Sequence, residues 1–581
     1  MLRVLGIGLS LTMTTTLAFS APAPPTSDER PSVVGGLAFV DEVKLTVVNI
    51  DVFVTDSAGL AVPDLAIDDF VVLQDGKQRD LSHFAVYNEQ VISEIVNEQP
   101  GSSDPATPLP TASTGTEQSA APRLDIKPVY IVLFIDNENL RPMDRNRVLL
   151  QVQRFLAEVM YPHVQVMVVS YQRSLKIQQA FTSDSREVSD ALRSVRKMTA
   201  ARPEQDTERK KILNEFSSIQ QQGTGGSEQD RIEIENRIRS YADVIANELD
   251  FAINAVREVS VTLSGLPGRK YLVHVSSGLP MVPAKDLFYQ FSTVFQNSST
   301  LAMEARFNHR RFYQNLASAA NSQGVTFYTI DASGVGGAGS GVSAEYAGSI
   351  DPITTGLYQI NQQEPLQFLA EKTGGRAILS TNDVTGGLNR FRQDLFSYYS
   401  LAYTISGSGS DTIHRLEVEL PGHPDYELNY RRNFVEKSLE SKVQDRVFSG
   451  LTFDIDENPM GLSVEASKAA PASEDRWVLP IEIGFPLASI ALVPEGENLV
   501  GRVVVFVAVR DDEGRQSDLQ RSQYLISVAK DDLESQGEDR YTIELPLLMK
   551  SGNYRIVVGL MDQVTRQASY HTIHQAVSLD S

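Results

Sequence analysis

Lys127–Tyr171 reads KPVYIVLFIDNENLRPMDRNRVLLQVQRFLAEVMYPHVQVMVVSY. A continuous apolar run, Val129–Ile135, stops abruptly at the polar cluster Asp136, Asn137, Glu138 and Asn139. Val148, Leu149, Val152, Phe155, Leu156 and Val159 then recur at helical spacing, and a second apolar run spans Val164–Val169. Short runs apolar throughout are what strands buried on both faces look like, and a helix between two of them predicts a βαβ unit. Ligands of such sheets sit at the carboxyl ends of the strands. Asp136 is at one of those ends, so the chemistry is expected there.

Working outward, strand and helix patterns keep alternating to residue 397, which predicts a doubly wound, Rossmann-like α/β domain over 127–397. The alternation is interrupted at 203–240, a charged stretch with helical periodicity in Ile212, Leu213, Phe216 and Ile219 and a breaker at Gly223–Gly226. This is expected to be an inserted helical hairpin projecting from the domain as a contact surface or solvated spacer. Beyond Asp331 a Gly-rich loop is expected to run to about residue 362.

Period-two patterns flank the domain. Residues 40–95 alternate through Val43, Leu45, Val47, Ile50, Val52 and Val54 and are broken by turns at Asp56–Gly59 and Asp75-Gly76. That piece is too short to close a β-sandwich, and the β-pattern at 398–435 is expected to complete it. Residues 96–126, rich in Pro, Ser, Thr and Gly, are expected to be a linker. Residues 445–581 carry strand patterns at the spacing of an Ig-like sandwich.

A chain of 581 residues exceeds one core and predicts two to four domains. Its net charge of −22 argues against a nucleic-acid partner and against docking on anionic lipid. Residues 1–20 have one Arg, a short apolar core and Ala18-Phe19-Ser20 before Ala21, the pattern of a cleaved signal peptide. The expectation is export to the periplasm or beyond, with no disulfide and no Cys-ligated metal, since the sequence has no Cys. No later run reaches the roughly 18 apolar residues of a membrane span.

The order of elements, with an acidic loop after the first strand, resembles the von Willebrand factor A (VWFA) domain. The likeness extends to exported VWFA-related proteins typical of Acidobacteria, through Asp56-Ser57-Ala58-Gly59, Asp69-Phe70 and Asp75-Gly76, then SSGLP at 276–280, YTIDASG at 328–334, LAEKTGG at 369–375 and DLFSYYSLAY at 394–403. The resemblance implies a metal-ion-dependent adhesion site, in which D-x-S-x-S, a Thr and a later Asp hold a divalent cation with one position open. This chain keeps Asp136 but has Glu138 and Leu140 where the two Ser belong; Ser276 and Ser277 replace the later Asp, and Thr224 is the one candidate Thr. A rebuilt Mg²⁺ or Ca²⁺ site would use Asp136, Glu138, Ser276 and Asp331. The competing expectation, which the residue types favour, is a metal-free scaffold in which Asp136 caps the next helix or bonds loop backbone.

Other motifs carry less. Gly334–Gly339 satisfies G-x-G-x-x-G, but no helix pattern starts there to offer pyrophosphate its N-terminus. His571 and His574 are spaced to opposite faces of a strand, and His274 lies inside an apolar run as a hydrogen-bonded core residue. No catalytic constellation emerges. The expected function is therefore non-enzymatic: an exported protein that binds another protein through loops 136–147, 276–290 and 331–362. The alternatives are a metal-assisted hydrolase and a structural component of the cell envelope.

Overall fold

The computed structural model describes residues 45–92, 127–199, 202–221, 226–296, 300–335, 352–406, 409–455, 457–473, 475–529 and 540–577. The expected signal segment 1–20, the expected linker 96–126, Thr224 and Gly336–Gly339 lie outside them. The chain is a mixed α/β protein with several β-sheets.

The central sheet has six strands: β1 (Val129–Asp136), β2 (Val164–Gln172), β3 (Ser174–Thr182), β4 (Arg269–Ser276), β5 (Val325–Asp331) and β6 (Ala377–Ile378), in the order β6-β5-β4-β1-β2-β3. All pair in parallel except the edge strand β3. The continuous apolar run of β1 is explained by burial on both faces. Val132 and Phe134 enter one core with Leu272 and Phe327, while Ile131, Leu133 and Ile135 enter the other with Val273 and Ile330. Helices α1 (Pro142–Val159), α2 (Ser185–Arg196) and α9 (Thr385–Phe396) cover the second face. The first face is covered by α4 (Glu228–Leu263), α5 (Lys285–Phe295), α7 (Arg310–Gln323) and α8 (Pro352–Thr373), with α3 (Arg202–Gln221) and the short α6 (Thr300–Arg306) at its border.

Two expectations fail here. The hairpin α3–α4 does not project. Ile212, Leu213, Phe216 and Ile219 are buried in the same core as Phe134 and Leu272, because the helix is amphipathic and packs its apolar side on α4 and α5. Residues 352–362, expected to belong to a loop, are helical, because α8 begins at Pro352. The helix includes Gly356, and Pro365 sits inside it. A proline there leaves the carbonyl four residues earlier without its helical donor. That carbonyl, Asn361 O, accepts instead from Met281 N at 2.9 Å, and the Asn361 side chain bonds both backbone groups of Val282. The segment after β4 is thereby tied to α8.

Leu45–Thr55 pairs antiparallel with Tyr398–Ser406, and Val71–Gln74 with Thr412–Glu419, so strands from both sides of the α/β domain share two sheets. Val48, Ile50, Val52 and Val54 face Tyr399, Leu401 and Tyr403 in their common core. Residues 463–577 form two further antiparallel sheets packed around Leu479, Ile481, Val505 and Ile556. The helix Leu439–Gly450 bridges this unit to the α/β domain. Its Ser449 Oγ donates to Thr262 O and accepts from Gly265 N. A Cβ on Gly265 would lie 2.7 Å from Asp445 O, so only glycine permits that approach.

Candidate functional site

At the carboxyl end of β1, Asp136 is enclosed by its own neighbours. Ser276 Oγ, from β4, donates to Asp136 Oδ2 at 2.8 Å, and Asn139 Nδ2 donates to the same oxygen at 3.0 Å. Asn139 N reaches Oδ1 at 3.3 Å. Helix α1 starts only at Pro142, so Asp136 bonds its loop and does not cap the helix. Asn137 points away, accepting from Arg145 Nη1 and donating to Gln172 Oε1. Arg145 is itself buried, and its Nη2 donates to Arg196 O and Met198 O. Burial pulls its pKa below the ordinary arginine value. Leu140, at a position where the adhesion site has its second Ser, is a core anchor beside Val148 and Leu149.

His274 departs from expectation. It is fully buried edge-on to Phe134, yet among the described residues neither ring nitrogen has a hydrogen-bond partner. Its Nε2 is 3.8 Å from Asp136 Oδ2. Tyr313, also buried, has its phenol pushed well above the ordinary range by burial and by the Asp136 charge.

The four candidate metal ligands do not converge. Asp136 and Ser276 are bonded to each other. Ser276 and Asp331 are register neighbours on β4 and β5, but the Asp331 carboxylate accepts from Ser333 N at 2.9 Å and Gln363 Nε2 at 2.7 Å. Among the described residues no three His, Asp or Glu side chains are grouped to hold a metal ion. A hard cation needs several oxygens at one centre, so the residues as arranged do not fit Mg²⁺ or Ca²⁺. Calorimetric titration with either ion is expected to give no heat that Asp136→Asn abolishes. An isotherm lost in that variant would show that Asn139 and Ser276 release the carboxylate to a metal.

Helix α3 closes the site. Arg141, from the loop after β1, pairs with Asp206 at 2.6 Å. Arg209 pairs with Asp286 of α5 at 2.7 Å and lies 3.8 Å over the Tyr358 ring of α8. Burial, which lowers an arginine pKa, is outweighed there by the Asp286 charge, so Arg209 stays firmly protonated. Asp136 and Ser276 are 0% exposed, Asp331 1% and Glu138 5%. Between Asn139, Asp206, Leu279 and Tyr358 a cavity of about 20 Å³ remains, room for roughly one water. Residues 276–290, expected as a contact loop, are almost wholly buried beneath α3, α4 and α8.

What stays exposed is the rim. Met143 is 85% exposed, Val335 67% and Ile360 64%. Arg147, one turn from Met143, donates to Ala332 O, which brings α1 beside the loop after β5. Gln363, three residues beyond Ile360 and on its helix face, donates to Asp331. Ile353 continues that exposed stripe one heptad earlier. Sequence inspection missed Asn139, Arg145 and Arg209 as organisers of the site. The signal was a cation on an apolar helical stripe: Arg145 precedes Val148 and Leu149, and Arg209 precedes Ile212 and Phe216.

No protein family profile matches this sequence, and no curated protein matches it. Among solved structures, it is similar to an aerotolerance-related membrane protein from Bacteroides fragilis, at 12% identity and TM-score 0.23, over 46% of this chain and 98% of that one. It is also similar to the conserved hypothetical protein BatB from Bacteroides thetaiotaomicron, at 11% identity and TM-score 0.22, over 46% and 97%. The pilus adhesin SpaC from Lactobacillus rhamnosus GG is similar at 8% identity and TM-score 0.27, over 79% of this chain and 53% of that one. These values are too low to carry any property of those proteins to this chain. Among the described residues no helix is long and apolar enough to cross a membrane.

Proposed function

We propose that this chain is an exported, non-enzymatic VWFA-like protein with a degenerate adhesion site, binding another protein through the rim of its central sheet. The observation that supports it most is the exposed apolar set Met143, Val335, Ile353 and Ile360 around a sealed sheet top. Large apolar side chains left exposed around one end of a sheet are candidates for an interaction site. The sealed Asp136 centre acts in this proposal as a rigid support: its hydrogen bonds fix the loop that leads to Met143. Hydrolysis through a metal-bound water would need converging ligands and access for substrate, and the centre offers neither as arranged.

A photo-crosslinking side chain placed at Met143 or Ile360 in the native host tests this. Adducts with a defined protein, weakened at least tenfold by Met143→Glu combined with Ile360→Glu, are the expected result. Surface substitutions of this kind shift stability by no more than about 0.5 kcal/mol, so the loss would be one of contact. The assembly alternative has its own support in Leu525, 62% exposed on the C-terminal unit. Adducts formed from position 525 and from neither rim position would overturn the rim proposal in favour of it.

A further inference from the structure

At the opposite end of the central sheet, where the strands begin, a cavity of about 310 Å³ lies between the α/β domain and the N-terminal β-module. Its walls carry Lys127, Arg269, Lys270 and Arg431, faced by one carboxylate, Asp51. In a chain with a net charge of −22, four cations around one small space are out of keeping with the surface as a whole.

The four are not equally committed. Arg269 is structural: it pairs with Asp51 at 3.3 Å, donates to Leu395 O and Asp394 O, and stacks 3.9 Å over Tyr398. Asp51 is thus engaged by Arg269. Lys270 is 8% exposed, and its Nζ donates to Leu266 O at 3.1 Å and Ser264 O at 3.3 Å. Both acceptors are neutral carbonyls, so its charge has no counter-charge in contact. Among the described residues the Arg431 guanidinium and the Lys127 ammonium make no hydrogen bond or ion pair. An added Cβ on Gly324 would sit 3.0 Å from Arg431 Nη1 and 3.7 Å from Lys270 Nζ, so the two cations border the same small space. Gly268, Gly324 and Gly374 line the cavity; a Cβ on Gly268 or Gly374 would meet the backbone of Pro128 or Tyr430, so only Gly324 leaves room toward the two cations.

A buried charge such as Lys270 is ordinarily paired, and the free fork of the half-buried Arg431 suits two oxygens of one anionic group. We infer that this cavity is a binding site for a small oxyanion, held by Arg431, Lys270 and Lys127. The bound group would supply negative charge that, among the described residues, only Asp51 brings to the cavity. Its volume is many times the ~30 Å³ share of one water, enough for a phosphate, a sulfate or a short dicarboxylate with its waters. The Lys270 ammonium agrees: burial, then the Lys437 and Arg431 charges, bring its pKa down to about 7, and a bound anion would raise it again.

The test is calorimetry and thermal unfolding of the full chain at low salt with inorganic phosphate, sulfate and malonate in separate arms. Saturable heat and a concentration-dependent rise in melting temperature are expected. Arg431→Gln should weaken binding at least tenfold. Lys127→Gln, at an exposed position that does not endanger folding, should weaken it about threefold. Binding at about pH 8.5 should be weaker than at about pH 6, because Lys270 has then lost its proton. Response to phosphate and sulfate alone would assign a tetrahedral anion, and response to malonate alone a carboxylate. No saturable response in any arm, or binding unchanged in both variants, would overturn the inference.

Discussion

Arg209→Met is expected to destabilise the chain by about 3–5 kcal/mol, the largest loss from any single residue of the closed sheet top. Asp286 is buried and receives both Nε and Nη2 of Arg209 on one oxygen, at 2.8 and 2.7 Å. Removing the guanidinium leaves a carboxylate in low dielectric without its counter-charge, and the cation–ring contact with Tyr358 goes too. The double variant Arg209→Met with Asp286→Leu should recover most of the loss, since a buried pair replaced by apolar groups of similar volume is often neutral. Denaturant unfolding of the two variants measures this. Equal losses in both would mean that packing of α3, and not the pair, holds the helix down. Hydrogen exchange supplies a local readout: in Arg209→Met the amides of 136–139 should exchange faster than those of the C-terminal unit. Arg141→Ala should cost far less, about 1 kcal/mol, because its pair with Asp206 is partly in contact with water.

Lys270→Met should have the opposite sign, stabilising the protein by roughly 2–4 kcal/mol at pH 6 in a buffer free of oxyanions. The lysine titrates near pH 7 when folded and at about 10.4 when unfolded, because burial and neighbouring cations disfavour its charge. The unfolded chain therefore holds one more proton between those values. The penalty is complete below about pH 7 and fades as pH rises toward 10. A shift of this size corresponds to about 5 kcal/mol, and the two carbonyls that lose their donor return roughly 1 kcal/mol each to the other side. Urea unfolding at pH 6 and pH 10 checks the sign. A gain that does not shrink at pH 10 would place its origin in apolar packing instead of charge.

How legible all this is in the sequence depends on what each signal reports. The apolar run Val129–Ile135 ending at Asp136 identifies a strand and its carboxyl end because double-sided burial leaves no polar position inside it. Alternation at Ile50, Val52 and Val54 likewise announces a strand that turns one side to a core, though Phe53 on the other side is buried against the α/β domain. Helical periodicity at Ile212, Leu213, Phe216 and Ile219 shows that one side of α3 is apolar, but it says nothing about which surface that side meets. The ion pairs that decide the docking, Arg141–Asp206 and Arg209–Asp286, join residues far apart in sequence. Pro365 is tolerated inside α8 for a related reason: the donor it removes is replaced from Met281, in another part of the chain. The Asp136 centre was readable as a position and unreadable as an arrangement, since Asn139 and Ser276 occupy the carboxylate only once β1 and β4 lie side by side.

The way the chain leaves and re-enters its N-terminal β-module has a mechanical consequence. It departs after Tyr87 and returns at Tyr398, and those residues are register partners whose rings stack 4.6 Å apart. The whole α/β domain is therefore a loop closed at its neck. Tension applied between residue 45 and residue 436 is borne by the antiparallel ladder from Leu45↔Ser406 to Val52↔Tyr399 and bypasses that loop while the ladder holds. The rim and the central sheet are insulated from pull along the chain, as a load hung beside a rope is spared the strain within it.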